Sequence, residues 1–99
     1  MRRIGLFGGT FDPIHNGHIR MAVEVAENLQ LDEVRLIPVN QPSHRSRPIA
    51  SAAQRLEMIS SAIKAPLVLD DIEIQRGGTS FTVDTLNYLR AEYPGCSLI

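Results

Sequence analysis

The sequence predicts an α/β chain built on a parallel sheet, and three observations predict it. Short apolar runs at Ile4 to Phe7, Glu33 to Val39 and Leu67 to Leu69 alternate with longer segments whose apolar residues recur every three or four positions. Two glycines, Gly8 and Gly9, follow the first run directly, as in a strand that turns into a helix. The spacing between runs leaves room for one helix each, which implies right-handed crossovers with helices on both faces of the sheet.

Arg3 to Phe7 reads as a short buried strand. From His18 to Leu29, Ile19, Ala22, Val23, Ala26 and Leu29 form an apolar stripe, with Arg20, Glu24 and Glu27 off it. This predicts an amphipathic helix whose N-terminus lies at or just after His18. Glu33 to Val39 is the second strand, with Pro38 near its end removing one donor. Asn40 to Ile49 reads as a loop carrying local positive charge from Arg45 and Arg47, with no acidic residue to offset it. Ser51 and Gln54 have capping-box spacing for a second helix, whose buried stripe is Leu56, Ile59 and Ile63 and which Pro66 ends. Leu67 to Leu69 is a third strand. Ile72 and Ile74 alternate with Asp71, Glu73 and Gln75, predicting a half-exposed extension before a turn at Gly77-Gly78. Thr82 is the expected N-cap of a third helix carrying Val83, Leu86 and Leu89, with Asp84 suiting its dipole and Pro94-Gly95 stopping it. Cys96 to Ile99 then begins a fourth strand, with Cys96 as a small core residue.

A chain of 99 residues, 43% hydrophobic and 21% charged, fits a single small domain with one core. The formal charge of −1 gives no global pull toward nucleic acid or an anionic membrane, so any polyanion site must be local. One cysteine rules out an internal disulfide, and no apolar run has the length of a membrane span. A cytoplasmic protein is expected, with no nucleic-acid or membrane partner.

The stretch Gly8 to His18, GGTFDPIHNGH, is where an anion would bind. Gly8 and Gly9 lack a Cβ, so a ligand can approach the backbone and unusual φ values are open. The amides beyond them begin a helix, where unpartnered N–H groups and the dipole favour phosphate. His15 and His18 can add side-chain donors. The plainer alternative is a strand-to-helix connection with two solvated imidazoles. A metal reading of the two histidines lacks a clear third ligand. Asp70, Asp71 and Glu73 suggest a cation site less well than a solvated strand end.

This stretch closely resembles the signature of the HxGH nucleotidyltransferases. Gln41 to Arg45 (QPSHR) and Ser80 to Leu86 (SFTVDTL) narrow the resemblance to the bacterial nicotinate-nucleotide adenylyltransferases. The resemblance implies a Rossmann-like parallel sheet of strand order 3-2-1-4-5, here truncated at the start of the fourth strand, so that residues 1–99 are the N-terminal part of one nucleotidyltransferase domain with no second domain. It implies adenylyl transfer from ATP to nicotinate mononucleotide, giving deamido-NAD and pyrophosphate in NAD biosynthesis, with Mg2+ held mainly by the ATP phosphates. His15 and His18 would be the catalytic donors to the triphosphate. Gly8, Gly9, Thr10 and Phe11 would supply backbone amides, and Thr10 a hydroxyl, to phosphate, while Asp12-Pro13 shapes the turn. His44 and Arg45 would lie near the substrate phosphates, with Arg45 shared between ATP and the mononucleotide. Phe81 and Thr82 would contact the nicotinate mononucleotide, the backbone near Thr82 meeting its carboxylate. Ser43 stands where the family has a second proline, Arg45 where many members have lysine, and Phe81 in place of tyrosine.

The family's G-x-D segment, the tryptophan after it and the C-terminal I-S-S-T-x-x-R motif are absent. The 99 residues alone are therefore expected to bind nucleotide poorly and catalyse little. A short fourth strand would leave the first-strand edge open to self-association. The alternatives are another HxGH enzyme, such as a pantetheine-phosphate adenylyltransferase, and a non-catalytic nucleotide-binding module.

Overall fold

The computed structural model describes residues 2–42, 50–80, 82–93 and 97–98. In chain order they form β1 (Arg3–Gly9), α1 (Asn16–Asn28), β2 (Glu33–Pro38), β3 (Gln41–Pro42), α2 (Ala52–Ala62), β4 (Leu67–Leu69), α3 (Ile72–Arg76), β5 (Thr79–Ser80), α4 (Thr82–Glu92) and β6 (Ser97–Leu98). Four strands make one parallel sheet in the order β4-β2-β1-β6. Numbering only the strands the sequence predicts, this is 3-2-1-4, as expected. Strand order reverses beside β1, so the carboxyl end of β1 opens on the crevice where ligands bind in open α/β sheets.

The alternation of β2 separates two environments. Val34 and Leu36 enter an apolar cluster with Phe11, Ala22, Ala26, Leu31, Ile59 and Leu67, which joins α1 and α2 to the sheet. Removing a fully buried side chain such as Leu36 or Ile59 by substitution with alanine costs about 2–5 kcal/mol. On the opposite face Arg35 donates to Asp70 Oδ2 at 3.0 Å and lies over the Tyr93 ring at 4.6 Å. Arg2 pairs there with the buried Glu33 at 2.7 Å. Burial works against the Arg35 charge, but Tyr93, Asp70 and Glu33 outweigh it and hold its pKa above the ordinary arginine value. Gly5 is glycine for a packing reason: a Cβ there would stand 2.7 Å from Leu31 Cδ1 and 3.2 Å from Val34 Cγ2.

The structure departs from the sequence expectations at several elements. Gly8 and Gly9 belong to β1 itself, opposite Ile37 and Pro38, so they neither form the turn nor take unusual φ values. The turn comes later, at Phe11, whose φ is 50°. α1 starts at Asn16, two residues earlier than expected, because His15 caps it. Leu29, expected on the buried stripe of α1, is exposed.

Residues 72–76 form α3 rather than a strand extension. Five residues of alternation do not separate the two periods, and local bonds decide: Asp70 Oδ1 accepts from the Ile72 amide at 3.1 Å, and Gln75 Nε2 donates to Asp71 Oδ1 at 2.9 Å. The expected turn follows, with Gly77 and Gly78 at φ 74° and 68°, values that favour glycine. The Ser51–Gln54 capping box is present, but α2 buries Arg55 beside Ile59, while Leu56 and Ile63 are only half-buried. Thr82 is the first residue of α4 rather than its cap, and Val83 is exposed while Thr85 and Leu89 are buried. The expected stop at Pro94-Gly95, and Cys96, lie outside the described residues.

Candidate functional site

The site is the corner from Gly9 to His18. After β1 the chain passes through Phe11, whose positive φ turns the backbone and whose ring is buried in the core. Phe7 and Phe11 meet edge-on with centroids 5.4 Å apart, and the His18 ring sits edge-on to Phe11 at 5.1 Å. An aromatic wall thus backs one imidazole. Asp12 Oδ1 accepts from the Ala50 amide at 2.9 Å, which ties the corner to the residues just before α2.

The two histidines cap α1 reciprocally. His15 Nδ1 accepts from the Gly17 amide, and the His15 amide donates to His18 Nδ1, both at 3.1 Å. The rings stack with centroids 3.7 Å apart and planes inclined by 25°. Since each Nδ1 lone pair is taken by a backbone N–H, the neutral form of each ring carries its proton on Nε2. His15 is exposed and His18 half-exposed, so neither is lost in the core. Two Nε2–H donors therefore stand together at a helix N-terminus that has no acidic residue in its first turn. Burial pushes the His18 pKa down from its usual value, and the neighbouring His15 charge pushes it in the same direction. Both effects favour the neutral ring of His18, which donates through Nε2–H.

Two further residues of this arrangement have structural roles that the sequence does not assign to them. Gly17 lies under the His15 ring: a Cβ there would stand 2.9 Å from Cε1 and 3.0 Å from Nδ1, so only glycine lets the ring lie flat on the helix. Arg55 is 2% exposed, and its guanidinium donates to the carbonyls of Thr10, Val39 and Asn40. Its position four residues before Ile59, on the buried face of α2, is the only sequence sign of it.

Of the expected site residues, the structure brings Gly8, Gly9, Thr10, Phe11, His15 and His18 to one corner. Thr82 begins α4 at the far side of a two-residue parallel ladder, in which Gln41 and Pro42 pair with Thr79 and Ser80. His44, Arg45 and Phe81 lie outside the described residues. Asp70, Asp71 and Glu73 form neither a cation site nor a solvated strand end. Asp70 pairs with Arg35, and Glu73, 5% exposed, accepts from Thr85 Oγ1 at 2.7 Å while Arg76 Nη2 donates to the same hydroxyl at 3.1 Å.

The family model for cytidylyltransferase-like proteins matches residues 6–99. The chain belongs to the cytidylyltransferase-like family. Among curated relatives, this cytidylyltransferase-like chain is 55% identical over 93 residues to a Pseudomonas fluorescens protein named "Probable nicotinate-nucleotide adenylyltransferase", covering 92% of the chain and 44% of that protein. A Chromobacterium violaceum protein of the same name is 58% identical over 93 residues, covering 91% and 44%. The chain thus spans under half the length of these relatives. In structure it resembles a Plasmodium falciparum nicotinic acid mononucleotide adenylyltransferase complexed with NaAD, at TM-score 0.83 and 20% identity, over 99% of this chain and 50% of that one. At that identity the likeness is one of fold.

Proposed function

We propose that the corner binds the triphosphate of ATP, and that the gene product transfers the adenylyl group to nicotinate mononucleotide in the cytoplasm. One observation carries this reading: two stacked imidazoles, each with Nδ1 taken by the backbone and Nε2–H free to donate, at a helix N-terminus beside the sheet's reversal point. The names of the relatives supply the acceptor.

The mononucleotide phosphate is ionised near neutral pH, so its oxygen attacks the α-phosphorus without a protein base. The bond from that phosphorus to the bridging oxygen breaks, and pyrophosphate leaves with the electron pair. The protein's task is alignment and charge stabilisation. His15 and His18 donate to the α-phosphate and the departing pyrophosphate, and the amides around Thr10 and Phe11 hold the chain of phosphates. Every group in this donor set suits phosphate oxygen rather than a cation. Mg2+ bound by the phosphates would neutralise part of their charge. His44, Arg45, Phe81 and Thr82 belong to the acceptor side by resemblance.

The test is pyrophosphate release from ATP with nicotinate mononucleotide, nicotinamide mononucleotide or phosphopantetheine, on this chain and on the gene product. Release with nicotinate mononucleotide as the preferred acceptor supports the reading. Preference for phosphopantetheine moves the chain to another HxGH activity, and nucleotide binding without release from either protein makes it a binding module.

A further inference from the structure

Arg55 is a buried charge that makes no ion pair among the described residues, and three backbone carbonyls receive it instead. Nη1 donates to Thr10 O at 3.1 Å and to Val39 O, and Nη2 donates to Asn40 O at 3.2 Å. Burial pulls its pKa down, and Asp12 pulls it partly back. Thr10 follows β1 and leads into the histidine corner. Val39 and Asn40 follow β2 and lead into residues 41–49. The fan of guanidinium donors therefore joins the carboxyl ends of two adjacent strands where a ligand would sit.

The connection runs one step further. Asn40 Nδ2 donates to Gly78 O at 2.8 Å, just before β5 and the start of α4. The β3–β5 ladder lies immediately beyond. Three segments distant in sequence thus share one relay: Thr10 to Arg55, Arg55 to Val39 and Asn40, and Asn40 to Gly78.

We propose that Arg55 and Asn40 are positioning residues that hold the triphosphate corner in register with the α4 end that receives the acceptor. This rests on the function proposed above. Arg55 is the hub, because one planar fork reaches two strand ends at once, which a lysine point donor cannot do. Asn40 is the acceptor arm, because its side chain donates to Gly78 O, on the side that leads to α4.

The two roles separate in kinetics. In the gene product, Asn40→Ala raises KM for nicotinate mononucleotide by about threefold to tenfold, the scale of one lost neutral hydrogen bond, and leaves KM for ATP unchanged. Arg55→Lys lowers kcat on the order of 10²-fold, the scale of a displaced reacting group, in protein that circular dichroism shows to be folded. Equal changes in both KM values for Asn40→Ala, or no change in either, overturn the proposal. So does wild-type turnover in folded Arg55→Lys. Should Arg55→Lys not fold, Asn40→Ala still decides, because Asn40 lies near the surface. Amide exchange reads the relay without substrate: Asn40→Ala speeds exchange at residues 78–80 and leaves α1 unaffected, and unchanged exchange there overturns it. A wild-type protein that releases no pyrophosphate with nicotinate mononucleotide defeats the functional reading, while the exchange result still judges the relay.

Discussion

The His18 ring is held from three sides, by the His15 amide at Nδ1, by the His15 ring stacked on it and by the edges of Phe7 and Phe11. Its Nε2–H is the donor that remains for the proposed triphosphate. His18→Ala in the gene product should lower turnover by about 10² to 10³, the scale of one transition-state donor, as measured by steady-state pyrophosphate release. Gly17→Ala tests the same pair from below. The new Cβ pushes the His15 ring off its cap, so turnover should fall about tenfold or more while stability changes by no more than about 1 kcal/mol. Paired kinetics and urea denaturation would check this.

The pH dependence follows from the lowered His18 pKa. Folding favours the neutral ring, so the unfolded chain takes up a proton more readily. The contribution is fully present above pH 6.5 and is lost as pH falls through 6.5 and on through the lower folded value. An anion reverses the preference by drawing a proton onto the ring. Tripolyphosphate should therefore bind more tightly as pH falls from 8 to 6, with proton uptake visible by calorimetry in buffers of different ionisation enthalpy. The His18→Ala variant should lose most of that dependence.

At the scale of elements, the α3–α4 pair is held by a small buried network rather than by apolar contact alone. Thr85 donates to Glu73 and accepts from Arg76, and Glu73 Oε1 is buried without a hydrogen-bond partner among the described residues. Thr85→Val removes the hydroxyl that satisfies Oε2, so it should destabilise the chain by about 1–3 kcal/mol, read from the urea midpoint. Neither Glu73 nor Thr85 was legible as a buried residue, since Asp71 to Gln75 reads as solvated alternation and a five-residue helix is too short for a helical period to emerge. Longer elements were legible. The stripe through Ile19, Ala22 and Ala26 predicted α1, and Ser51 with Gln54 predicted the start of α2. The corner was legible as a place but not in its geometry. A histidine cap is not among the usual capping residues, so the apolar stripe alone places the helix start too late. Arg55 was hidden because a charged residue on an apolar stripe reads as the stripe's edge until its carbonyl partners, distant in sequence, are seen.

At the scale of the molecule, β1 is unevenly covered. β6 pairs only with Arg3 and Ile4, so among the described residues Gly5 to Gly9 have a strand partner on the β2 side alone. An open edge is a template for another chain. Sedimentation at several concentrations should show this chain self-associating, and a tight monomer at every concentration would count against it. The division of β2 into an apolar and a polar side also gives the molecule a parity rule. A slip of one position between β1 and β2 would carry Arg35 among Ala22, Ala26 and Ile59 and turn Leu36 toward Asp70, whereas a slip of two would return each side chain to its own side. A one-position slip is thereby penalised twice, by an exiled charge and by an emptied apolar seat, so a residue inserted between Leu29 and Asp32 should be taken up in the connection with the β1–β2 pairing unchanged.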